Sequence, residues 1–116
     1  MNQPIKPLVN FDDFLKLDIR VGVIEEAAVF EKARKPAYQL KVNFGEEIGV
    51  KKSSAQICEH YNPEELVGKQ VLAVLNFPVR QIGNFFSEVL VLGTYSEGGV
   101  ILITTDLPSK PGDILG

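Results

Sequence analysis

Between Ile19 and Phe44 the apolar and polar residues recur with a period of two. Ile19, Val21 and Val23 fall on one side with Arg20 and Gly22 on the other, and Tyr38, Leu40, Val42 and Phe44 alternate with Gln39, Lys41 and Asn43. Successive side chains of a strand point to opposite faces, so the pattern predicts two half-buried strands. Ile48 to Val50 predicts a third, joined to the second by the tight link Gly45, Glu46, Glu47. Ahead of the strands, Phe11, Phe14 and Leu15 stand at i, i+3 and i+4. That spacing predicts a short helix from Phe11 to about Leu17, capped by Asn10, with Asp12 and Asp13 in the first turn, where carboxylates meet the helix dipole favourably. Asn62, Pro63, Glu64, Glu65 carries the cap, first-turn proline and acidic third residue of another helix start, which Gly68 ends after about one turn.

The second half follows a different pattern. Val71 to Leu75, Val89 to Leu92 and Val100 to Ile103 are apolar on both faces, which requires cover on both sides. Strands at short intervals, Gly-rich turns and only short helices predict an all-β barrel or sandwich. A barrel of this size has one interior, so a second copy of the chain is the simplest cover for the outer faces, with Val71, Ala73, Leu75, Val89, Val91, Val100 and Leu102 as the expected homodimer interface. Roughly 300 Å² of apolar surface per subunit would be hidden in this way. The competing cover is the Phe11 to Leu17 helix or the segment before it.

Length and composition narrow the class. The 116 residues fit one domain, 11–116, behind an extended proline-containing leader, 1–10. No apolar run reaches the ~20 residues of a membrane helix and no signal-peptide core is present, so the expected location is cytoplasmic, without membrane insertion. A single cysteine, Cys58, and a single histidine, His60, provide neither a disulfide nor a four-ligand zinc site, so no metal and no cofactor is expected. The net charge of -3 argues against strong non-specific nucleic-acid binding. Six of the twelve basic residues nevertheless lie between Lys32 and Lys52, a candidate local patch.

Catalysis finds no anchor. Cys58 and His60 are two residues apart in a predicted loop, the adjacent pairs Glu25–Glu26, Glu46–Glu47 and Glu64–Glu65 belong to solvent-facing settings, and no nucleotide or metal motif occurs. No catalytic residue is expected. Two segments suit binding. The run Lys51, Lys52, Ser53, Ser54, Ala55, Gln56 sets two cations before two hydroxyls and an amide, donors suited to phosphate oxygens or a peptide backbone. Asn76 to Glu88 holds Phe77, Arg80, Phe85 and Phe86, rings and a guanidinium that stack on bases or receive apolar side chains of a peptide.

LDIRVG at Leu17–Gly22, FGEEIGVKKSSAQI at Phe44–Ile57 and NFPVRQIGNFFSEVLVLG at Asn76–Gly93, in that order, resemble the EMAPII-type tRNA-binding domain family, and within it the small CsaA-type secretion chaperones. The resemblance implies an OB-fold, a five-stranded barrel with short flanking helices, that binds without catalysis. It also implies a homodimer whose partners are unfolded polypeptides or preproteins in an export-related role, or alternatively tRNA or another structured RNA. Carried onto this chain, it gives Asp18 and Arg20 as the opening strand motif, and Asn76, Arg80, Ser87 and Glu88 as the N-x-x-x-R…SE segment. It assigns peptide contacts to Phe77, Arg80, Phe85 and Phe86, and RNA contacts to Lys51, Lys52, Ser53, Ser54, Asn76, Arg80 and Ser87. Val79, Gln81 and Ile82 around Arg80, with Val89 and Leu90 after Glu88, depart from the tRNA-binding pattern and resemble the chaperone branch.

Overall fold

The computed structural model describes residues 3–116; Met1 and Asn2 of the expected leader lie outside it. The rest of the leader, to Asn10, has no regular structure and is exposed. Helix α1 (Phe11–Leu15) is two residues shorter than the periodicity predicts, and the Asn10 backbone N–H donates to the Asp13 carboxylate at its start. Strand β1 (Ile19–Val29) is far longer than its alternating part, because it serves two partners. Its first half pairs with β4 (Gln70–Val74) and its second with β2 (Tyr38–Asn43), with a register shift between Ile24 and Glu26 where the strand bends. Gly22 lies two residues before that shift, opposite Val71 of β4. A Cβ there would lie 2.5 Å from Val42 Cγ1 and 2.7 Å from Phe44 Cε1, so only glycine fits.

Strand β3 (Val50–Ala55) begins where the predicted strand at Ile48–Val50 ends. Gly45 and Gly49 both take positive φ, and Phe44 N–H donates to Gly49 O, so the link is longer than a tight hairpin turn. Helix α2 (Pro63–Leu66) forms as predicted, its Leu66 fully buried. Beyond β4, a hairpin of β5 (Arg80–Ile82) and β6 (Phe85–Ser87) turns at Gly83, β7 (Leu90–Val91) pairs back onto β4, and β8 (Gly93–Ser96) with β9 (Gly99–Leu102) forms a second hairpin. The five-stranded sheet has the order β3-β2-β1-β4-β7. It curls into a nearly closed barrel because Glu88 N–H donates to Lys52 O at 2.8 Å, joining the two edges. The fold is mostly β and OB-like. Among the described residues no helix is long and apolar enough to cross a membrane.

Most residues of the two-faced apolar strands find their cover within one chain, while Leu90 and Ile101 stay exposed. The inner cluster contains Ile24, Leu40, Val42, Phe44, Leu66, Val71, Ala73 and Val89, and Leu75, Val91, Val100 and Leu102 pack against it. These last four, with Val71, Ala73 and Val89, are the seven residues expected at a dimer interface. They occupy the inner side of the barrel instead, since the alternation alone does not tell which face is inward. The other face, Leu72 and Val74 with Ile19 and Val21, is covered by Phe14 of α1 and by Leu92 and Ile103. The helix is therefore part of the cover.

Candidate nucleic-acid interface

The outer face of β2 and β3 follows directly from their alternation. Leu40 and Val42 are buried, so Gln39, Lys41 and Asn43 face out. On β3, Ser53 and Ala55 are buried, which turns Lys52 and Ser54 outward and leaves Lys51 on the side of Ser53. Antiparallel register then sets Lys41 directly opposite Lys52 and Gln39 opposite Ser54. Like charges directly across a ladder oppose each other. Lys41 is partly compensated by Glu26, 3.6 Å away on β1, and Lys52 Nζ lies 5.5 Å from the centroid of the Phe85 ring, within cation–π range.

Phe85 is half-buried, with its ring 5.3 Å from that of Phe30. It docks the β5–β6 hairpin onto the barrel and holds Lys52 in place. The four residues expected to contact peptide therefore do not share one face. Arg80, Ile82, Phe85 and Ser87 share one face of the hairpin, while Phe86, opposite Gln81, is on the other. Phe77 and Phe86 are each 45% exposed, Arg80 is exposed, and Phe85 is engaged with its own chain.

Several residues of the family-bearing segments act as fasteners. Asn76 accepts from Asp18 N–H at 2.8 Å and donates to Lys16 O at 2.7 Å, locking the end of β4 to the start of β1. Ser87 Oγ accepts from Ser54 N–H at 3.0 Å, and the Glu88 carboxylate accepts from Lys52 N–H at 3.0 Å. The Ser53 hydroxyl, fully buried, donates to Ser54 O. Arg20 donates to Asp18 at 2.7 Å and to Gly112 O at 3.3 Å, tying in the C-terminal segment. The hydrogen bond to Asp18 raises the guanidinium above its ordinary value. Of the seven expected RNA contacts, Lys52 and Ser54 project from the outer face and Arg80 is exposed; Lys51 lies on the other side of the pleat, and the side chains of Ser53, Asn76 and Ser87 are committed to the fold. Two residues with no place among those expected contacts, Gln39 and Lys41, join the face. Only the register, which the sequence pattern leaves open, brings them beside Lys52 and Ser54.

Cys58 and His60 form no comparable centre. Burial pushes the Cys58 thiol above its ordinary value, opposite to the direction a nucleophilic thiolate needs, and His60 stands beside Gly98 and Gly99 of the second hairpin.

Residues 19–114 match the family model described as "Putative tRNA binding domain". The chain belongs to the tRNA-binding domain family. It is 40% identical over 111 residues to the methionine--tRNA ligase of Phocaeicola vulgatus, a match covering 94% of this chain and 16% of that protein. It thus spans about one sixth of the length of that relative. Among solved structures it is similar to the CsaA chaperone protein from Picrophilus torridus, with 50% identity and a TM-score of 0.89 over 94% of this chain and 100% of that one. Chaperone CsaA from Bacillus anthracis matches at 45% identity and a TM-score of 0.88, over 95% of this chain and 100% of the other.

Proposed function

We propose that this domain is a non-catalytic RNA-binding module that acts in the cytoplasm and takes tRNA on the outer face of β2 and β3. The carrying observation is the pair Lys41 and Lys52, set directly opposite each other beside Ser54 and Gln39. Two adjacent cations destabilise a bare sheet and are relieved by an anion lying between them, which a phosphate backbone supplies. The basic residues Lys32, Arg34 and Lys35 of the β1–β2 loop continue the positive surface at its end. Membership of a tRNA-binding family and likeness to tRNA ligases support the choice of RNA. The test is equilibrium binding of unfractionated tRNA between ~50 and ~200 mM salt. Lys41→Ala and Lys52→Ala should each weaken binding and reduce the salt slope by about one; wild-type affinity and slope in both variants would refute the assignment.

A second reading is an export-related chaperone that holds unfolded polypeptides or preproteins. Likeness to CsaA chaperones along their whole length favours it, as do the exposed Phe77, Val79 and Phe86 in and just before the β5–β6 hairpin. Suppression of client aggregation by the wild type, lost in Phe77→Ser with Phe86→Ser, is its test. Either role suits a homodimer, which would offer two sites to one ligand. Apolar surface available for pairing includes Phe11, Leu15 and Leu17, Ile114 and Leu115, which pair back onto the start of β1, and Leu90 and Ile101, all exposed. Sedimentation equilibrium at micromolar concentration tests it, and a 12.8 kDa species would exclude the dimer.

A further inference from the structure

Beyond Ser54, the outward row of β3 continues to Gln56 and opens into a cleft of about 440 Å³ built from three segments. Lys35 comes from the β1–β2 loop, Gln56 and Glu59 from the connection between β3 and α2, and Tyr95 from the β8–β9 hairpin. The hairpin is seated directly on this connection. Gly99 has φ 141°, and a Cβ on it would lie 2.6 Å from Glu59 Cβ, so the close approach fixes Tyr95 relative to Glu59. Tyr95 is 86% exposed. The other two tyrosines are tied down: Tyr38 Oη donates to Tyr61 O, and Tyr61 Oη accepts from Leu102 N–H. Among the described residues the Tyr95 hydroxyl makes no hydrogen bond.

We propose that this cleft holds one unpaired nucleobase of the bound RNA, with guanine preferred. This deepens the RNA-binding reading above and rests on it. The volume falls in the roughly 300–1,000 Å³ range of small-ligand sites. The Tyr95 ring supplies a stacking platform that accepts any base. The edge is read by Glu59 and Gln56. A carboxylate only accepts, and guanine alone offers two adjacent donors, N1–H and the N2 amino group, while its O6 accepts from the Gln56 amide. Lys35, which also lines the cleft, supplies a cation for the flanking phosphate. An apolar side chain of a peptide would instead desolvate Glu59 without giving it a donor, which disfavours a polypeptide occupant. Because the cleft continues the Lys52–Ser54 row, a strand crossing the main face reaches it without changing direction.

The experiment uses fluorescein-labelled nine-nucleotide oligouridylates carrying a single central G, inosine or A, titrated with wild type, Tyr95→Ala, Glu59→Ala and Lys52→Ala. Tyr95 and Glu59 are exposed, so both variants should fold, which circular dichroism checks. The wild type should prefer G over A by about tenfold, with inosine between them because it lacks the N2 amino group. Glu59→Ala should abolish that preference, Tyr95→Ala should weaken every oligonucleotide about fivefold or more, and Lys52→Ala should weaken all three equally while the preference persists. Absence of a G preference in the wild type, or wild-type binding by Tyr95→Ala, overturns the pocket while leaving the β2–β3 face standing if Lys52→Ala still binds weakly. If the wild type binds none of these RNAs and no tRNA, both fail. If Tyr95→Ala impairs holding of an unfolded polypeptide and leaves RNA binding intact, the cleft belongs to polypeptide and the proposal is refuted.

Discussion

Replacing Glu88 with alanine removes the carboxylate oxygen that accepts from the Lys52 backbone N–H at 3.0 Å across the seam of the barrel. Hydrogen bonds to charged groups contribute about 1.5–3 kcal/mol, and because Glu88 is half-buried the loss should lie near the lower end, about 1.5 kcal/mol. The two backbone bonds into Lys52 O, from Glu88 and Val89, persist in the variant. For 116 residues the entropy of unfolding is about 0.24 kcal/mol/K, so Tm should fall by about 6 °C. Glu88→Gln keeps an acceptor of the same length, and less than half of that loss is expected. Lys52 is the residue held at this seam, so the alanine variant should also bind tRNA two- to threefold more weakly, about 0.5 kcal/mol. Thermal melts followed by circular dichroism and a parallel anisotropy titration measure both effects. A Glu88→Ala melt within about 1 °C of wild type, with unchanged tRNA affinity, would refute the claim that this side chain both closes the barrel and positions the site.

Other perturbations probe separate parts of the barrel. Gly22→Ala places a methyl group 2.5 Å from Val42 Cγ1 and should cost about 1–3 kcal/mol in urea unfolding; a neutral result would mean that the close packing of β1 on Val42 and Phe44 does not require glycine. Phe85→Ala removes the contact with Phe30 and the ring beneath Lys52, so hydrogen exchange in β5 and β6 should accelerate while β1, β2 and β4 stay protected; uniform protection would contradict the docking role. Burial raises Tyr38 above its ordinary 10.0 and Cys58 above its ordinary 9.0. The folded state thus holds these protons more tightly than the unfolded chain, the stabilisation is complete at neutral pH, and it declines as pH rises beyond about 9. Urea midpoints at pH 7, 9 and 10 test the direction, and a midpoint that rises over this range would contradict it.

The barrel was legible where one face of a strand is wet. The alternation of Tyr38 to Phe44 and the cap residues of Asn62 to Glu65 each correspond to an observed element. It was less legible where local pattern gives no information on pairing. Nothing in residues 25–29 signals that β1 continues past its bend to reach β2. The apolar run at 71–75 shows that both faces are covered, yet not that α1, Leu92 and Ile103 provide the second cover. The site was divided in the same way. Lys52 and Ser54 stand out by composition, but Lys41 and Gln39 join them only through cross-strand register. Ser53, Asn76, Ser87 and Glu88 look like ligand contacts in sequence because hydroxyl, amide and carboxylate groups suit a ligand as well as they suit a backbone N–H. Tyr95, Gln56 and Glu59 come from two segments far apart in the chain, and only the close seat of Gly99 on Glu59 brings them together.

The central claim, that RNA lies across the outer face of β2 and β3, is tested most directly by mapping tRNA onto the ¹⁵N-labelled protein by NMR. Substoichiometric tRNA should first shift or broaden the amides of Gln39, Lys41, Lys52, Ser54 and Gln56, while those at the outer cluster around Ile19 and Leu72 stay unchanged. Perturbation confined to Phe77–Phe86, or to the surface around Phe11, Ile114 and Leu115, would contradict it.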